Sequence, residues 1–556
     1  MTVSEYIACY LNSQGVNDVF GIPGGVILDL MYAFDAHNDI DIHLCYHEQC
    51  AGFAACGYAQ MKDTVGVAYA TKGPGFTNLI TAIADAYYDS IPVVFITAHT
   101  AKSLPERCRV VTDQDMDTCG MVRNITKYAK RVDYLEEIPM VLKYACEMAR
   151  EGRKGPVFLD FASNLLKQEI RLDMPSDKFH GMHNVYSYVN MLCSSLREAK
   201  RPVVLIGDGI NQTFLQSYFC SFSQAARIPV ISSRYSHNIE QNSDMYYGYV
   251  GSHGIRYANF ILSKADVIVS LGNRLNFPSS SESYGKIAKN ATFICFDVDG
   301  GELYKHPYMN AGYKIDLRDF LPALSDNPYY CGNHDEWKAT CDTIRRELWD
   351  TDVNDVVLAI GSILQNMDGV YTIVSDVGNN EFWVSRACVY SKNTNRVLYS
   401  KSFGALGNAI GKAIGAYYAT HSPVVVFVGD QGFQMNIQEL QYIAQHNLPI
   451  TIVLLNNHSS GMIKDREKAA GYSYSLHTTQ DSGYGVPDFS QIAKAYGIEY
   501  HSYKSNMRLN KYPHPQLIEA NIPDSVELTP SLPRGRDCQD MEPRIDNTLY
   551  NRLNSL

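Results

Sequence analysis

Short apolar runs recur along the chain, each ending in glycine or turn residues. Val65 to Ala70, Pro92 to Thr97 and Pro156 to Asp160 form a first group. Pro202 to Ile206, Val267 to Leu271 and Thr292 to Val298 form a second, and Val370 to Ser375, Pro423 to Val428 and Pro449 to Leu455 a third. All are rich in Val and Ile and lack polar alternation, the pattern of strands buried on both faces of a parallel sheet. Amphipathic stretches of helical length lie between them, such as Met140 to Arg150 and Ile437 to His446. Three rounds of this alternation predict an α/β protein with three doubly wound parallel-sheet domains. Polar, strand-poor stretches at 166–192 and 325–352 read as linkers, and 503–556, rich in Pro, Asn and Arg, reads as an ordered-to-loose tail. The expected divisions are 1–165, 190–325 and 355–525, with 526–556 as a C-terminal tail. The first residues, Ser4-Glu5-Tyr6-Ile7, predict the start of a folded helix, not a leader.

Chemistry gathers at two strand ends in the third group. Gly429-Asp430-Gln431-Gly432 follows the run Pro423 to Val428, and Asn456-Asn457 ends the run Ile450 to Leu455. Asp430 and Asn457 are 27 residues apart, so both sit at carboxyl ends of neighbouring strands, where open α/β sheets bind ligands. An Asp carboxylate and an Asn carbonyl suit a hard cation such as Mg²⁺, which takes oxygen ligands and bridges to phosphates. The Ile437 to His446 helix is expected to start behind the glycine turn, with free N–H groups toward those phosphates. Taken singly, each pair is an ordinary turn; together they point to a metal-diphosphate site.

This pattern resembles the GDG…NN signature of thiamine-diphosphate enzymes, with Gln431 where the family carries a smaller residue. The resemblance extends over roughly 1–325 and 355–500 to the acetolactate synthase large-subunit family. Gly21-Ile22-Pro23-Gly24-Gly25 is similar to its first-domain entry loop. His47-Glu48-Gln49 with Ala54-Ala55-Cys56-Gly57-Tyr58-Ala59 is similar to HEQ-A-x-AEGYAR, and Thr71-Lys72-Gly73-Pro74-Gly75-Phe76-Thr77-Asn78 to TSGPGxTN. Residues 376–383 and 402–416 resemble DVGQHQMW and GLGTMGFGLPAAIGA. The three units then correspond to pyrimidine-binding, central and diphosphate-binding domains.

The resemblance implies the site residues. Glu48 would hydrogen-bond the pyrimidine ring of thiamine diphosphate and drive its activation; its small and apolar flanks are expected to bury it and raise its pKa. Gln114 would stand near the reacting centre, with Asp113 where the family has Phe. Leu406 would prop the bent cofactor beside Ala405. Gly378, Asn379, Asn380, Gly429, Gln431, Gly432, Gly461 and Met462 would line the cofactor, Asn379 and Asn380 replacing Gln and His. Asp430, Asn457 and the Ser459 carbonyl would hold Mg²⁺. The central segment Gly251-Ser252-His253-Gly254 is similar to GMHGT, but Gly272-Asn273-Arg274-Leu275-Asn276 stands where flavin-binding members carry GARFDDR. The resemblance therefore leaves FAD open.

The implied activity is decarboxylation of pyruvate or a similar 2-oxo acid, with transfer of the two-carbon acyl unit to a carbonyl acceptor. A simple 2-oxo-acid decarboxylase and a catalytically silent homologue are the alternatives. Lys72 stands where the family has a small hydroxyl residue, and Arg466 where amino-acid-pathway members have Trp; both are candidate substrate contacts. Asp481-Ser482-Gly483, Val486-Pro487-Asp488-Phe489, Leu532-Pro533 and Gln539-Asp540-Met541-Glu542-Pro543 resemble an acetolactate-synthase-like subgroup tied to surface-polysaccharide and unusual-sugar clusters. A homodimer or homotetramer is implied.

Composition narrows this picture slightly. The net charge is −11, which argues against broad nucleic-acid binding. The apolar runs are strand-sized, so no membrane span is expected. Fourteen Cys without CxxC spacing fit buried, reduced thiols in a cytoplasmic protein.

Overall fold

Eighteen strands among the described residues form three six-stranded sheets, every pairing parallel. The structure is a computed structural model that describes residues 1–100, 112–175, 184–276, 290–305, 309–327, 331–367, 369–505 and 514–556. The first sheet holds β1 (Asp18–Gly21), β2 (Asp41–Leu44), β3 (Gly66–Tyr69), β4 (Val93–His99), β5 (Tyr128–Val132) and β6 (Val157–Ala162). The second holds β7 (Pro202–Ile206), β8 (Val230–Ser232), β9 (Tyr246–Tyr249), β10 (Val267–Leu271), β11 (Thr292–Asp297) and β12 (Ala311–Lys314). The third holds β13 (Thr372–Ser375), β14 (Val397–Leu398), β15 (Val424–Gly429), β16 (Ile450–Asn456), β17 (Glu499–Ser502) and β18 (Gln516–Asn521). All nine strands expected from the apolar runs are present.

The chain divides into two compact units. The first comprises Met1–Phe179, Asp368–Glu381 and Arg396–Asp524 and contains the first and third sheets. Their strand orders, β2-β1-β3-β4-β6-β5 and β14-β13-β15-β16-β18-β17, are the same topology used twice. The chain enters through the helix Val3–Ser13, whose Thr2 and Glu5 close a reciprocal cap. Between the two sheets lie the helices Glu48–Met61 and Ala409–Thr420. A Cβ on Gly415 would fall 1.8 Å from the Ala54 carbonyl oxygen, and one on Gly57 2.1 Å from that of Lys412. Only glycine allows backbones this close. Phe53, Phe76, Phe95, Ile410, Ile414, Val426 and Ile452 fill the core around them.

Lys412 is fully buried in this contact and pairs with Asp85 at 2.8 Å while donating to the Tyr399 carbonyl. The Asp85 carboxylate also accepts from Ser400, and Asp89 accepts the Lys401 and Ser402 amides at 2.6 and 2.8 Å. The segment leading to Leu406 is thereby fastened to the helix Pro74–Asp89. Removing one partner of such a buried pair costs about 3–5 kcal/mol, because the other charge is left unpaired.

The second unit comprises His180–Met367, Phe382–Asn395 and Ser525–Leu556. Its sheet runs β12-β11-β10-β7-β8-β9, the order of doubly wound dinucleotide folds. Two expectations are corrected here. Residues 325–352 are no simple linker: the helix Asp335–Leu348 buries Trp337, Cys341, Ile344 and Leu348, and the surrounding charges are its solvent face. The chain end is no tail either. The Leu532 amide donates to the Ser252 carbonyl, Arg256 donates to that of Met541 while pairing with buried Asp352 at 3.0 Å, and Asn547–Ser555 is helical. In the first unit, β18 lies between β16 and β17, inside the stretch read as loose. Its Glu519 hid the strand pattern and is satisfied by Asn456 at 2.7 Å and Tyr500 at 2.8 Å. Of the first linker, 176–183 lie outside the described residues and the helix Tyr186–Glu198 begins before its end. Among the described residues no helix is long and apolar enough to cross a membrane.

Candidate active site

In the third sheet the strand order reverses between β13 and β15, and the carboxyl ends of β13, β15 and β16 lie side by side. Ligands bind at such switch points. Asp430 begins the helix Asp430–Met435 directly after β15. That differs from the expected start at Ile437: the crossover is broken into Asp430–Met435, a turn at Ile437–Glu439 and Leu440–Gln445. The amides of the first turn therefore belong to Asp430 and its successors.

The Asp430 carboxylate is buried. Its Oδ1 accepts the Gln431 amide at 2.8 Å and the Tyr484 hydroxyl at 2.7 Å, and its Oδ2 has no hydrogen-bond partner. Burial pushes its pKa up against those two hydrogen bonds. Asn379 donates to Asp465 at 3.0 Å and leaves its buried Oδ1 without a partner. Asn457 donates to Ser459 Oγ at 2.8 Å. A Cβ at Gly461 would meet Asn457 Nδ2 at 2.6 Å and Asn379 Nδ2 at 3.4 Å, so these three residues converge. Gln431 accepts from Ser460 at 3.2 Å and ties the two loops. Asn380 turns inward instead, donating to the Asp376 carbonyl at 2.6 Å, while Gly378 takes the positive φ of the turn.

Asp376 was not singled out from sequence. It is buried under this cradle and accepts from the Val377 and Gly407 amides and the Asn408 side chain. Burial pushes its carboxyl up to about 7 against those hydrogen bonds. A Cβ at Gly432 would lie 2.2 Å from Asp376 Oδ2 and 3.4 Å from Leu406 Cδ1, which places the half-buried Leu406 over the same cradle, with buried Ala405 before it. Met462 is half-buried on the helix Gly461–Ala469.

A second group forms on the first sheet. Glu48 opens the helix Glu48–Met61, capped by His47, and its Oε2 accepts from Asn78 at 2.9 Å. It is half-buried, not buried as its neighbours suggested: the apolar face of the helix begins at Cys50, and Glu48 sits ahead of it at the first turn. Gln114 is exposed with a φ of 62°, and its Cβ lies 2.6 Å from where a Gly73 Cβ would be, over the TKGPG turn. Asp113 is exposed beside it, and residues 101–111 lie outside the described residues. Lys72 is buried, donates to Thr100 at 2.7 Å and pairs with Asp115 at 3.4 Å. Burial raises the Asp115 carboxyl, but hydrogen bonds from Thr112 and Thr100, with Lys72, outweigh it and hold it at about 2.

Models of the thiamine pyrophosphate enzymes match in order along the chain. The N-terminal TPP binding domain matches residues 1–121, the central domain 189–324 and the C-terminal TPP binding domain 376–514. The chain is 32% identical to the acetolactate synthase large subunit of Lactococcus lactis, covering 97% of this chain and 95% of that protein. It is 30% identical to the acetolactate synthase isozyme 2 large subunit of Escherichia coli, covering 97% and 99%. The chain belongs to the acetolactate synthase large-subunit family of thiamine pyrophosphate enzymes. It is a thiamine-diphosphate-dependent enzyme.

The residues present fit that cofactor. Asp430 Oδ2 and Asn379 Oδ1 are buried oxygens without partners at a strand-end crevice, a costly arrangement unless something binds there. Among the described residues no cluster of three or more His, Cys, Asp or Glu could hold a metal. A cation here would rest on one carboxylate, amide oxygens and its ligand's own oxygens, which suits Mg²⁺. At the switch point of the second sheet the Gly207 amide donates to the Leu271 carbonyl and the Gly209 amide to that of Gly272, both at 3.0 Å. Residues 277–289 lie outside the described residues.

Proposed function

We propose that the enzyme decarboxylates pyruvate or a similar 2-oxo acid and joins the remaining two-carbon acyl unit to the carbonyl carbon of an acceptor, as acetolactate synthases do. The observation that carries this reading is the pair of unpartnered buried oxygens, Asp430 Oδ2 and Asn379 Oδ1, at the strand ends of a chain related to acetolactate synthases along nearly its whole length. Bound thiamine diphosphate supplies a carbon nucleophile and an electron sink. Asp430, Asn457 and the Ser459 carbonyl would hold Mg²⁺ against the diphosphate, with Gly378, Asn379, Asn380, Gly429, Gln431, Gly432, Gly461 and Met462 around it. Leu406, beside Ala405, would keep the cofactor bent. Glu48, oriented by Asn78, would exchange a proton with the pyrimidine ring nitrogen, and Gln114 would border the reacting carbons. Incubation with Mg²⁺, thiamine diphosphate and pyruvate, with and without candidate acceptors, tests the reading by product mass. 2-Acetolactate marks pyruvate as acceptor, a branched sugar marks a keto-sugar, and acetaldehyde as main product would favour a simple decarboxylase.

The working form is proposed to be a cytoplasmic homodimer or homotetramer in which Glu48 of one chain and Asp430 of another complete each centre. A mixture of inactive Glu48→Ala and Asp430→Ala chains is then expected to regain part of the activity once subunits exchange. No recovery after demonstrated exchange would count against a shared centre.

One observation favours an anionic acceptor, such as the keto-sugar nucleotide that the resemblance to the sugar-cluster subgroup suggests. Arg466 is exposed on the helix Gly461–Ala469. Among its sequence neighbours, Asp465 accepts from Asn379, and Glu467 accepts from the Leu476 amide at 3.0 Å and the Thr478 hydroxyl at 2.7 Å. A guanidinium on that rim suits a carboxylate or phosphate. Lys72 already has Asp115, so Arg466 carries this reading. Arg466→Ala is expected to raise the acceptor KM at least about tenfold while decarboxylation continues, and added salt to weaken acceptor use. Equal loss of both steps, or of neither, would remove the anionic acceptor.

A further inference from the structure

The segment that begins with Asp430 ends in two buried polar residues that the chemistry above does not use. Asn436 and Glu439 are both fully buried. Asn436 Nδ2 donates to Gln49 Oε1 at 3.3 Å and to the Gly407 carbonyl at 2.8 Å. Gln49 follows Glu48, and Gly407 follows Leu406. Asn436 Oδ1 accepts from Gln438 at 3.2 Å. Glu439 accepts the Tyr46 amide through both oxygens, at 3.0 and 3.2 Å, two residues before Glu48. The turn between two short helices of the third sheet thus grips the loop that delivers Glu48 from the first.

We infer that Asn436 and Glu439 are positioning residues that hold the Glu48 turn in place against the Leu406 loop of the same chain, whichever chain completes each centre. This rests on the cofactor-binding role proposed for Glu48 and Leu406. A hydrogen-bonded brace of this kind fixes a reactive carboxyl to within the fractions of an ångström that acid-base work needs. An ionised Glu439 holds the Tyr46 amide with two acceptor oxygens; a protonated one holds it with fewer lone pairs.

Burial pushes the Glu439 carboxyl up to about 7, opposed by hydrogen bonds from the Tyr46 and His47 amides, the Gln438 side chain and the Cys50 thiol. The titratable groups that face it are Cys50 and Cys45, both buried thiols whose own pKa values are raised. A carboxyl raised above its unfolded value adds stability that is fully present below the unfolded pKa and lost as pH rises through about 7. The brace is therefore tightest where the fold gains least from it.

Two measurements that need no substrate test this: exchange of the thiazolium C2 hydrogen of bound thiamine diphosphate into deuterated water, and thermal unfolding of the cofactor-free protein. In the wild type, exchange is expected to slow as pH falls from 8 to 6, while the unfolding midpoint rises. Glu439→Gln keeps the shape and cannot titrate. It is expected to reduce both pH dependences around 7, leaving the share that Asp376, also raised to about 7, contributes, and to exchange faster than Glu439→Ala. Asn436→Ala is expected to slow exchange at least about tenfold, the scale of a misplaced reactive group, with cofactor affinity nearly unchanged. Unaltered pH dependence in Glu439→Gln, or parallel loss of affinity and exchange in Asn436→Ala, overturns the inference. Because neither measurement uses pyruvate, a wrong substrate assignment would leave the exchange result standing.

Discussion

Glu48→Gln is expected to lower turnover at least about tenfold, since positioned acid-base groups contribute on the order of 10²–10⁴-fold. The substitution keeps the shape and the acceptor oxygen that Asn78 reaches at 2.9 Å, so the helix start and the Asn78 contact should survive. Only the exchangeable proton is lost. The cofactor is expected to bind with nearly normal affinity, because its diphosphate would be held by the other group, at Asp430, Asn379 and Asn457. Steady-state rates and a binding titration on the same preparation separate the two effects. A variant that turns over at near the wild-type rate would remove Glu48 from the chemistry. A variant that cannot bind the cofactor would make Glu48 an anchor instead.

Asp430→Ala is expected to weaken Mg²⁺ and thiamine diphosphate together, by at least about tenfold each, because an ion held by Asp430 would join the protein to the diphosphate. Titrating each ligand at a fixed level of the other checks the coupling, and unchanged affinity for both would rule out Asp430 as a ligand. Asp430→Asn adds a control of opposite sign. Burial raises the Asp430 pKa, so the ionised carboxylate costs the cofactor-free fold stability above its folded pKa. That cost disappears as pH falls toward the ordinary carboxylate value. The Asn variant should therefore melt higher than the wild type at neutral pH without cofactor, and should gain less from added Mg²⁺ and thiamine diphosphate. A carboxylate retained despite that cost is expected where it binds something.

The interior of each sheet was legible in the sequence and the edges were not. In each sheet three of the four inner strands announce themselves as continuous Val- and Ile-rich runs, because both faces are covered. The outer strands β2, β5, β12 and β17 expose part of their length, and carry charges such as Lys130 and Arg131 that interrupt any run. The missed inner strands are β1, β8 and β18, of which β8 has three residues. At the candidate site, the strand-end positions of Asp430 and Asn457 were readable because each follows a buried run. Asp376 carries the same signal, an Asp at the end of β13 followed by a glycine turn, and could have been found. Tyr484 could not: it reaches Asp430 from 54 residues away with no regular element to announce it. The half-exposure of Glu48 was equally hidden, since composition cannot tell the first turn of a helix from its buried middle.

The glycine contact between Glu48–Met61 and Ala409–Thr420 has a mechanical consequence. Carbonyl oxygens of one helix lie where side chains of the other would be, and the Lys412–Asp85 pair is sealed beside them. Sliding one sheet of the first unit past the other would need both contacts to part at once, and packed interiors of this kind switch or stay put; they do not yield gradually. Shear between these two sheets is therefore closed as a route for substrate entry and product release. Gating would fall to surface segments; among the described residues the segment 461–476, with exposed Ile463, Arg466, Tyr472, Tyr474 and Leu476, has no buried residue to anchor it.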